Sequence, residues 1–354
     1  METLNHSFPW LELIEHPAFC VKDGIIIAAN SPAERRLLQV GTDVREIVTE
    51  NREAYESFRN GSLYLTIHVC GLPCPASVTR TQDWDIFHIH QDSEDGSLQA
   101  LALAAMQLRV PLANVMTVTD RLFSDLKTAD PEIQKQAGQI NQNLYRLLRI
   151  ISNMSDAGNY YCDDMQTSNL TSVIDEVVNK AQVCFSGSNI HLEYSSLQAP
   201  VLSLANTEKL ERAIYNLLSN AARFSPSGST VTATLTKNEN QLVFCVRNET
   251  AEDLAEGNLW QRYRREPGIE DPRHGLGLGM ALISAAASVH GGTVLVDHPS
   301  VKETRVTMTI PIVKENSSNV RTPVLRISDY AGGRDKGLLE LAEILPSNAY
   351  NDIN

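Results

Sequence analysis

The sequence predicts an α+β protein of several domains, and three changes of pattern along the chain support this prediction. Short runs near the N-terminus, such as FCVKDGIIIAAN, are typical of strands joined by tight turns. A seven-residue apolar repeat begins at Leu98 and is typical of long, paired helices. From Leu170 to Val313, helical segments mix with two predicted β-hairpins, residues 229–248 and 292–312. This mixture favours helices layered on one antiparallel sheet, an α+β sandwich.

Length and composition indicate a globular chain. The 354 residues, of which 42% are hydrophobic, can form a sizeable core, and this length is typical of about two or three domains. The 30 Lys and Arg against 43 Asp and Glu give a net charge of −13, which argues against nucleic acid or an anionic membrane as the main partner. The six scattered cysteines favour a reducing cytoplasm. No signal pattern and no apolar run near the ~18 residues of a membrane span occur, so we expect a cytoplasmic protein.

Residues 1–92 are predicted to form the first domain. A Lys-Asp-Gly turn joins two strand-like runs, and the next segment is predicted to be a short helix with Ser31 as its cap and Pro32 in its first turn. The stretch from Leu63 to His90 is predicted to form antiparallel strands. This order of a strand, a tight turn, a strand, an Asn, short helices and a closing sheet resembles a PAS sensor domain.

One cluster of histidines and cysteines in this domain allows two interpretations. Alternating positions on two strands would bring some of these side chains together as metal ligands. The sequence contains no paired CxxC-type spacing, so the favoured interpretation is that they lie on the faces of an ordinary hairpin. The residues concerned are His68, Cys70, Cys74, His88 and His90.

Residues 93–160 are predicted to form a hairpin of two long helices. The turn KTADPE divides them, with Asp130 as a cap and Pro131 in the first helical position. Because so much apolar surface is unfavourable in water, we expect a homodimer in which residues 95–160 form a four-helix bundle. The first helix carries one apolar column at Leu101, Leu108, Val115 and Leu122 and another at Leu98, Ala105, Leu112, Thr119 and Leu126. The second helix carries Ile133, Ala137, Ile140, Leu144, Leu147, Ile151 and Met154.

The segment AIYNLLSNAARF contains the first candidate binding residues. Asn216 and Asn220 lie four apart and therefore share one face of a helix, while the apolar residues turn to the core. Asparagine lowers helix stability, so two on one face need a reason. Amide oxygens suit Mg²⁺, which shares phosphate oxygens with a nucleotide, and Arg223 is placed to meet a phosphate. A solvated helix face is the alternative interpretation of this helix taken alone.

A glycine-rich segment, HGLGLGMALI, supplies the second set of candidates. Gly275, Gly277 and Gly279 precede an apolar, helix-like run and let the backbone approach a ligand closely. The start of a helix offers free N–H groups and a positive dipole end to an anion. A phosphate group is the expected ligand, and close packing of the turn is the alternative.

These motifs follow one another as in the ATP-binding domain of sensor histidine kinases and their relatives among the gyrase and chaperone ATPases. The resemblance covers residues 95–313 and includes the strand that ends in VRN at Asn248 and the later stretch LWQRYRR. It implies that residues 161–313 bind ATP with Mg²⁺. By this resemblance Asn220 would hold Mg²⁺, Asn216 and Arg223 would face the phosphates, Phe224 would lie near the nucleotide, and Gly275, Gly277 and Gly279 would carry the lid hinge and the phosphate-binding N–H groups.

The first predicted helix departs from the family's phosphoacceptor motif, His-Glu-Leu-Arg-Thr-Pro-Leu. Here the chain reads MQLRVPL: Met106 replaces the nucleophilic histidine, Gln107 its acidic partner, and Val110 the residue linked to phosphatase action. A thioether has no nitrogen lone pair to take a phosphoryl group, and an amide is no carboxylate base. No histidine lies between His90 and His191 to replace the missing one. The remaining positions agree, at Leu108, Arg109, Pro111 and Leu112.

A second departure concerns the adenine site. Where the family has Asp-x-Gly-x-Gly, this chain reads NETAE, with Asn248, Thr250 and Glu252 at the three defining positions. The carbonyl oxygen of Asn248 can accept a hydrogen bond from the adenine amino group, but it is an uncharged and therefore weaker acceptor. We expect this change to reduce the affinity for nucleotide.

The sequence therefore predicts a cytoplasmic, dimeric member of this family that binds ATP and Mg²⁺ but does not phosphorylate itself at the usual position. Two alternatives stay open: an active kinase that phosphorylates a residue in another chain, and a nucleotide-free structural interaction module. Met106 and Val110 are predicted to lie four apart on the outer side of the first helix, where the favoured interpretation is neutral change or coverage by a neighbouring domain. The alternative is an apolar docking patch for a partner, a response regulator or another kinase. Residues 314–354 are predicted to be a linker followed by a strand and a helix.

Overall fold

The computed structural model describes residues 8–14, 16–81, 83–90, 97–124, 130–157, 165–250, 278–313, 331 and 333–351. Its N-terminal elements are β1 Ala18–Lys22, β2 Ile25–Ala29, α1 Ser31–Glu34, α2 Arg52–Ser57, β3 Gly61–Val69, β4 Leu72–Arg80 and β5 Asp85–Ile89. Two long helices follow, α3 Ser97–Ser124 and α4 Pro131–Ala157. The later elements are β6 Gln166–Asn169, α5 Leu170–Phe185, β7 His191–Ser195, β8 Leu202–Ala205, α6 Thr207–Phe224, β9 Thr230–Asn238, β10 Gln241–Glu249, α7 Leu278–Val289, β11 Val294–Ser300, β12 Glu303–Pro311 and α8 Lys336–Glu340. Short 3₁₀ helices lie at Pro9–Leu13, Val44–Glu46 and Ser347–Tyr350.

Ten of the described strands form one continuous sheet in the order β2-β1-β5-β4-β3-β11-β12-β10-β9-β7. Neighbouring strands are antiparallel except β7 and β9, which are parallel, and β6 and β8 form a separate pair. The junction lies between β3 and β11, where Tyr64 pairs with Val294 and Ser62 with Val296. The segments that the sequence divides into separate domains therefore share one sheet.

Asn30 organises the N-terminal segment. Its fully buried side chain accepts hydrogen bonds from Ala33 N at 3.0 Å and Ala18 N at 2.9 Å, and donates to the carbonyl of His16 at 2.8 Å. The expectation that Ser31 caps α1 was therefore wrong by one residue. The amide of Asn30 can accept and donate together, and it thereby ties three chain segments that a serine hydroxyl is too short to reach.

The helices α3 and α4 pack against each other and against the C-terminal half of the chain. α4 begins at Pro131 and Asp130 Oδ1 accepts a hydrogen bond from Glu132 N at 2.8 Å, which confirms the predicted start of this helix. Ala105, Met116 and Tyr145 are buried in the same apolar core as α5, α6 and the sheet. Among the helices that the structure describes, none combines the length and apolar character needed to cross a bilayer.

The C-terminal half has helices layered on the sheet, as the sequence predicted. The expected hairpins are β9 with β10 and β11 with β12. Leu210 and Ile214 of α6 and Ile283 of α7 are completely buried, so these helices pack with their apolar faces on the strands. This packing fixes the direction in which the polar side of α6 points.

Candidate functional site

The helix α6 carries most of the predicted site residues. Asn206 caps its start by accepting a hydrogen bond from Lys209 N at 3.0 Å. The apolar residues of α6 that were predicted to face the core are buried: Leu210, Ile214, Leu217 and Ala221. Asn216 and Asn220 follow on another side of the helix, directed at α4 and the start of α7.

Asn216 is buried and is not on a solvated face. Only 1% of the residue is exposed. Its Nδ2 donates to the carbonyl of Arg212 at 2.9 Å, and its Oδ1 accepts from Nη2 of Arg149 on α4 at 3.2 Å. The amide oxygen that the family resemblance assigns to the phosphates is therefore in contact with an arginine of the helical hairpin.

Asn220 is partly exposed and contacts the start of α7 together with Asn216. A Cβ atom placed on Gly279 would lie 3.4 Å from Asn216 Oδ1 and 3.4 Å from Asn220 Nδ2. The structure thus brings the asparagine pair and the last glycine of the GLGLG segment into contact. Gly275 and Gly277 lie outside the described residues.

Arg223 is held by an acidic residue near the C-terminus. Its Nη1 lies 3.0 Å from Oε2 of Glu343, and its guanidinium carbon is 4.8 Å from the ring centroid of Phe224. Phe224 itself is 43% exposed. Its ring is therefore accessible to a ligand, whereas the charge of Arg223 is already paired.

Asn248 lies at the end of β10 beside an open cavity of about 1010 Å³. Its side chain is buried, and its Nδ2 donates to the carbonyl of Glu249 at 2.8 Å. Thr250, Arg247 and Lys302 line the same cavity, whereas Asn216 and Asn220 do not. The residue expected to meet adenine thus lines a cavity that the asparagine pair does not line. Glu252 lies outside the described residues.

The positions that carry phosphotransfer chemistry in the family lie on the surface of α3. Met106 is 56% exposed, Val110 is 65% exposed, and Gln107 is also exposed. No described residue of α3 or α4 is a histidine. This surface therefore offers neither an imidazole nucleophile nor a carboxylate at the motif positions.

In the structure, some apolar residues of the two hairpin helices lie on a buried inner face and others lie on an exposed outer face. Ala105, Leu112 and Met116 of α3 and Ala137, Tyr145, Leu148 and Ile151 of α4 are buried. The exposed apolar residues recur every seven positions: Leu108, Val115 and Leu122 on α3, and Ile133, Ile140 and Leu147 on α4. A repeat of seven on both helices is typical of a face that packs on other helices.

The histidine and cysteine cluster is distributed over a hairpin. Cys70 forms the β3–β4 turn with a φ of 54°, and His68 Nδ1 is 3.0 Å from Thr49 Oγ1. His88 lies on β5, where burial lowers its pKa to about 4. Within the described residues, no three His, Cys, Asp or Glu side chains are grouped as metal ligands.

The sequence did not reveal that the C-terminal residues 333–351 belong to this site. Glu340 is fully buried, with its carboxylate oxygens 3.2 Å from Arg149 Nε and 3.4 Å from Arg212 Nε. One feature of the sequence could have indicated this contact, namely the polar face of α4, on which Asn141, Gln142 and Arg149 are all buried. Polar residues at such spacing on a long helix normally indicate a solvated face, so this signal was ambiguous.

Comparisons with known proteins agree with the geometry of the C-terminal half. Residues 205–314 match the family of histidine kinase-, DNA gyrase B- and HSP90-like ATPases. Hybrid signal transduction histidine kinase D of Dictyostelium discoideum is 26% identical over 226 residues, covering 60% of this chain and 15% of that protein. Sensor histidine kinase YcbM of Bacillus subtilis strain 168 is 22% identical over 234 residues, covering 62% and 72%. The crystal structure of full-length ShkA with AMPPNP aligns at 18% identity over 61% of this chain and 46% of that one, with a TM-score of 0.47.

The matched region contains α6, β10 and the start of α7, which are the elements that carry Asn216, Asn220, Asn248 and Gly279. Residues 205–314 are thus an ATPase domain of the histidine kinase, gyrase and HSP90 type. The relatives named among the sensor histidine kinases match more than half of this chain at 22% and 26% identity, and the chain spans 15% of one of them and 72% of the other.

Proposed function

We propose that this protein is a dimeric, cytoplasmic signalling protein that binds ATP with Mg²⁺ and does not phosphorylate itself on α3. The observation that carries the nucleotide part is the contact of Asn216 and Asn220 with Gly279 in the first turn of α7. It combines amide oxygens, which Mg²⁺ accepts as ligands, with a helix N-terminus, which attracts phosphate.

Asn220 is the residue best suited to hold Mg²⁺. It is partly exposed, and its amide makes no hydrogen bond to any residue within the described ranges. A bound Mg²⁺ would neutralise phosphate charge beside this helix. Asn216 and Arg223 would face the phosphates, Phe224 would lie near the nucleotide, and Asn248 would accept a hydrogen bond from adenine, with Gly275, Gly277 and Gly279 as the phosphate-binding segment.

Titration with a fluorescent ATP analogue tests this proposal. Wild type should show saturable, Mg²⁺-dependent binding with a Kd below about 1 mM, which corresponds to about −4 kcal/mol. Asn220→Ala should weaken binding about tenfold, or about 1.4 kcal/mol, and should remove most of the effect of Mg²⁺ because the amide ligand is lost. Asn238→Ala, an exposed asparagine on β9, is the matched control. Wild type that does not saturate at millimolar analogue would contradict the proposal.

The absence of self-phosphorylation rests on the exposed side chains of α3. Met106 and Gln107 stand where the phosphoacceptor motif needs a nucleophile and a base, and neither side chain performs that chemistry. An active kinase that phosphorylates another chain keeps the ATP site and is the first alternative. The second, a nucleotide-free interaction module, is favoured by the pairing of Arg223 with Glu343 and by the altered NETAE segment.

The remaining parts of the proposal concern assembly and input. The repeat of exposed apolar residues on α3 and α4 supports a homodimer through residues 95–160. The antiparallel strands β1–β5, with short helices between β2 and β3, support a PAS-like input domain in residues 1–92. Met106 and Val110 form an exposed apolar pair that suits docking of a response regulator or a partner kinase.

A further inference from the structure

The C-terminal residues 333–351, here called the strap, lie across the helical hairpin and the ATPase domain. Tyr350 is fully buried, with its ring centroid 5.2 Å from that of Tyr145 on α4. Asn141 Nδ2 donates to the carbonyl of Tyr350 at 3.1 Å, and Gln142 Nε2 donates to that of Leu345 at 2.6 Å. These buried polar contacts give the strap a specific position on α4, because each unmatched group would lose a hydrogen bond.

Gly138 of α4 makes this close approach possible. A Cβ atom at this position would lie 2.5 Å from the carbonyl oxygen of Ser347 and 2.2 Å from Oδ1 of Asn351. Any larger residue at position 138 would therefore push the end of the strap away from the helix.

The strap also connects elements that belong to both halves of the site. Arg334 pairs with Asp120 of α3 at 2.6 Å, Asp335 with Lys180 of α5 at 3.0 Å, and Lys336 with Glu211 of α6 at 2.5 Å. The strap thus forms ion pairs with both the hairpin and the ATPase domain, in addition to the direct contacts between them.

Two glutamates of the strap meet three arginines at the predicted phosphate side of α6. Glu340 lies between Arg149 and Arg212, and Glu343 lies 3.3 Å from Arg149 Nη1 and 3.0 Å from Arg223 Nη1. Carboxylates and phosphates compete for guanidinium groups because both present anionic oxygens to the same donors.

The arrangement engages two residues that the nucleotide requires. Arg223 is paired with Glu343, and the Oδ1 of Asn216 accepts from Arg149, which the strap glutamates hold in place. ATP phosphates would have to displace these contacts before they could meet Arg223 and Asn216.

We propose that the strap is an autoinhibitory segment whose acidic side chains compete with ATP phosphates for Arg223 and the neighbouring polar groups of α6. The proposal rests on the proposed function, since it concerns the same nucleotide site. Release of the strap frees Arg223 and loosens Arg149, so nucleotide affinity is set by the position of residues 333–351.

Cys184 provides a reporter of strap position that does not involve nucleotide. A Cβ on Gly337 of the strap would lie 3.1 Å from Cys184 Sγ, so the strap covers this thiol. Burial there, with Asp335 adding to it, raises the pKa of Cys184 to about 11. Strap release should expose Cys184 and increase its alkylation rate by iodoacetamide, whereas the exposed Cys70 should react equally in all variants.

The test uses the full chain with Gly138→Ala, and Gln139→Ala at the exposed neighbouring position as the control. Alanine is a better helix former than glycine, so α4 itself is not weakened. We expect Gly138→Ala to increase the alkylation rate of Cys184, measured by peptide mass spectrometry. The same variant should bind the ATP analogue at least about fivefold more tightly than wild type. Gln139→Ala should change neither. Glu343→Gln should raise the affinity for the ATP analogue, because Arg223 loses its carboxylate partner while the strap stays in place. The alkylation rate of Cys184 should therefore change little in this variant.

The autoinhibitory proposal is overturned if Cys184 is alkylated faster in Gly138→Ala while Gly138→Ala and Glu343→Gln both bind the ATP analogue with wild-type affinity. The proposed function, ATP binding, would be unaffected by that result. If the alkylation rate of Cys184 is unchanged in Gly138→Ala, the affinity of Glu343→Gln for the ATP analogue becomes the test. A wild-type affinity in Glu343→Gln then also overturns the autoinhibitory proposal. A chain that binds no analogue in any variant would refute the proposed function together with the autoinhibitory role. The Cys184 rate distinguishes this last outcome, because it reports strap release without nucleotide.

Discussion

At position 106 a thioether occupies the exposed surface where the family presents its phosphoacceptor. Met106 and Gln107 are both solvent-accessible on α3, so steric access does not limit phosphotransfer there. The proposed loss of self-phosphorylation rests on chemistry instead, because neither group supplies a nitrogen nucleophile or a base. The proposed loss of self-phosphorylation can thus be tested by replacing two side chains.

We expect wild type incubated with radiolabelled ATP to give no acid-labile phosphoprotein. Met106→His with Gln107→Glu should restore labelling, because the variant regains a nucleophile and a base on an exposed face. Gln107→Glu alone, which lacks the nucleophile, is the control. Label on α3 or α4 of wild type would refute the proposal that self-phosphorylation is lost, and an unlabelled double variant that still binds ATP would place a further defect in the NETAE segment.

His88 gives the N-terminal segment a pH dependence. Burial, with smaller contributions from His90 and His16, lowers its pKa from 6.5 to about 4 in the folded protein. Between these values the unfolded chain binds a proton that the folded chain does not, so stability falls as the pH falls from about 6.5 to 4. For this partly exposed ring we expect a loss of about 1–2 kcal/mol, less than the full shift implies.

Urea unfolding followed at pH 7 and pH 4.5 checks this expectation. His88→Gln should reduce the difference between the two midpoints, because its side chain takes up no proton. His191→Gln, at an exposed position on β7, should leave the difference unchanged. Equal pH dependence in wild type and His88→Gln would show that other groups cause it.

Among the elements, the pairing of β3 with β11 joins the N-terminal strands to the ATPase domain. Gly61 begins β3 with a φ of +89°, and a Cβ there would lie 2.1 Å from the carbonyl oxygen of Val296. Both the backbone conformation and the close approach therefore require glycine. This strand pair directly connects the N-terminal sheet to the ATPase domain.

Gly61→Ala should open this junction. Strain at positive φ costs about 1–3 kcal/mol, and the clash with β11 adds to it. Hydrogen exchange of the β3 and β11 amides should accelerate in Gly61→Ala. Gly71→Ala is the matched control, because Gly71 has a φ of +79° but no atom within 4 Å of a Cβ. Equal exchange in the two variants would mean that close approach to β11 does not hold the strands together.

At the scale of the whole molecule, the outer face of the hairpin is the surface on which we propose that two copies assemble. Leu108, Val115, Ile140 and Leu147 are exposed at seven-residue spacing, whereas the opposite side of α4 is covered by the strap. The strap therefore leaves the predicted dimer face open. One face of α4 is available to a second copy while the other is occupied within the chain.

Light scattering on the full chain should give the mass of a dimer at micromolar concentration. Ile140→Glu should shift the chain to monomer, since each copy loses about 1.5–3 kcal/mol of apolar burial and gains a charge in the interface. Gln139→Glu adds the same charge at the neighbouring exposed position and should remain dimeric. A monomeric wild type would contradict the four-helix arrangement.

The sequence by itself determined the helices of the hairpin, the strand pairs of the C-terminal half and the asparagine and glycine motifs, because these depend on local periodicity and turn chemistry. The resemblance to the sensor histidine kinases rests on the same motifs. Only the tertiary structure decided that β3 pairs with β11 and that Glu340 and Glu343 reach the arginines of α4 and α6. These contacts join residues more than a hundred positions apart. No local pattern encodes such a pairing, because the local sequence of a strand edge or of an acidic helix is the same whether water or another part of the chain contacts it.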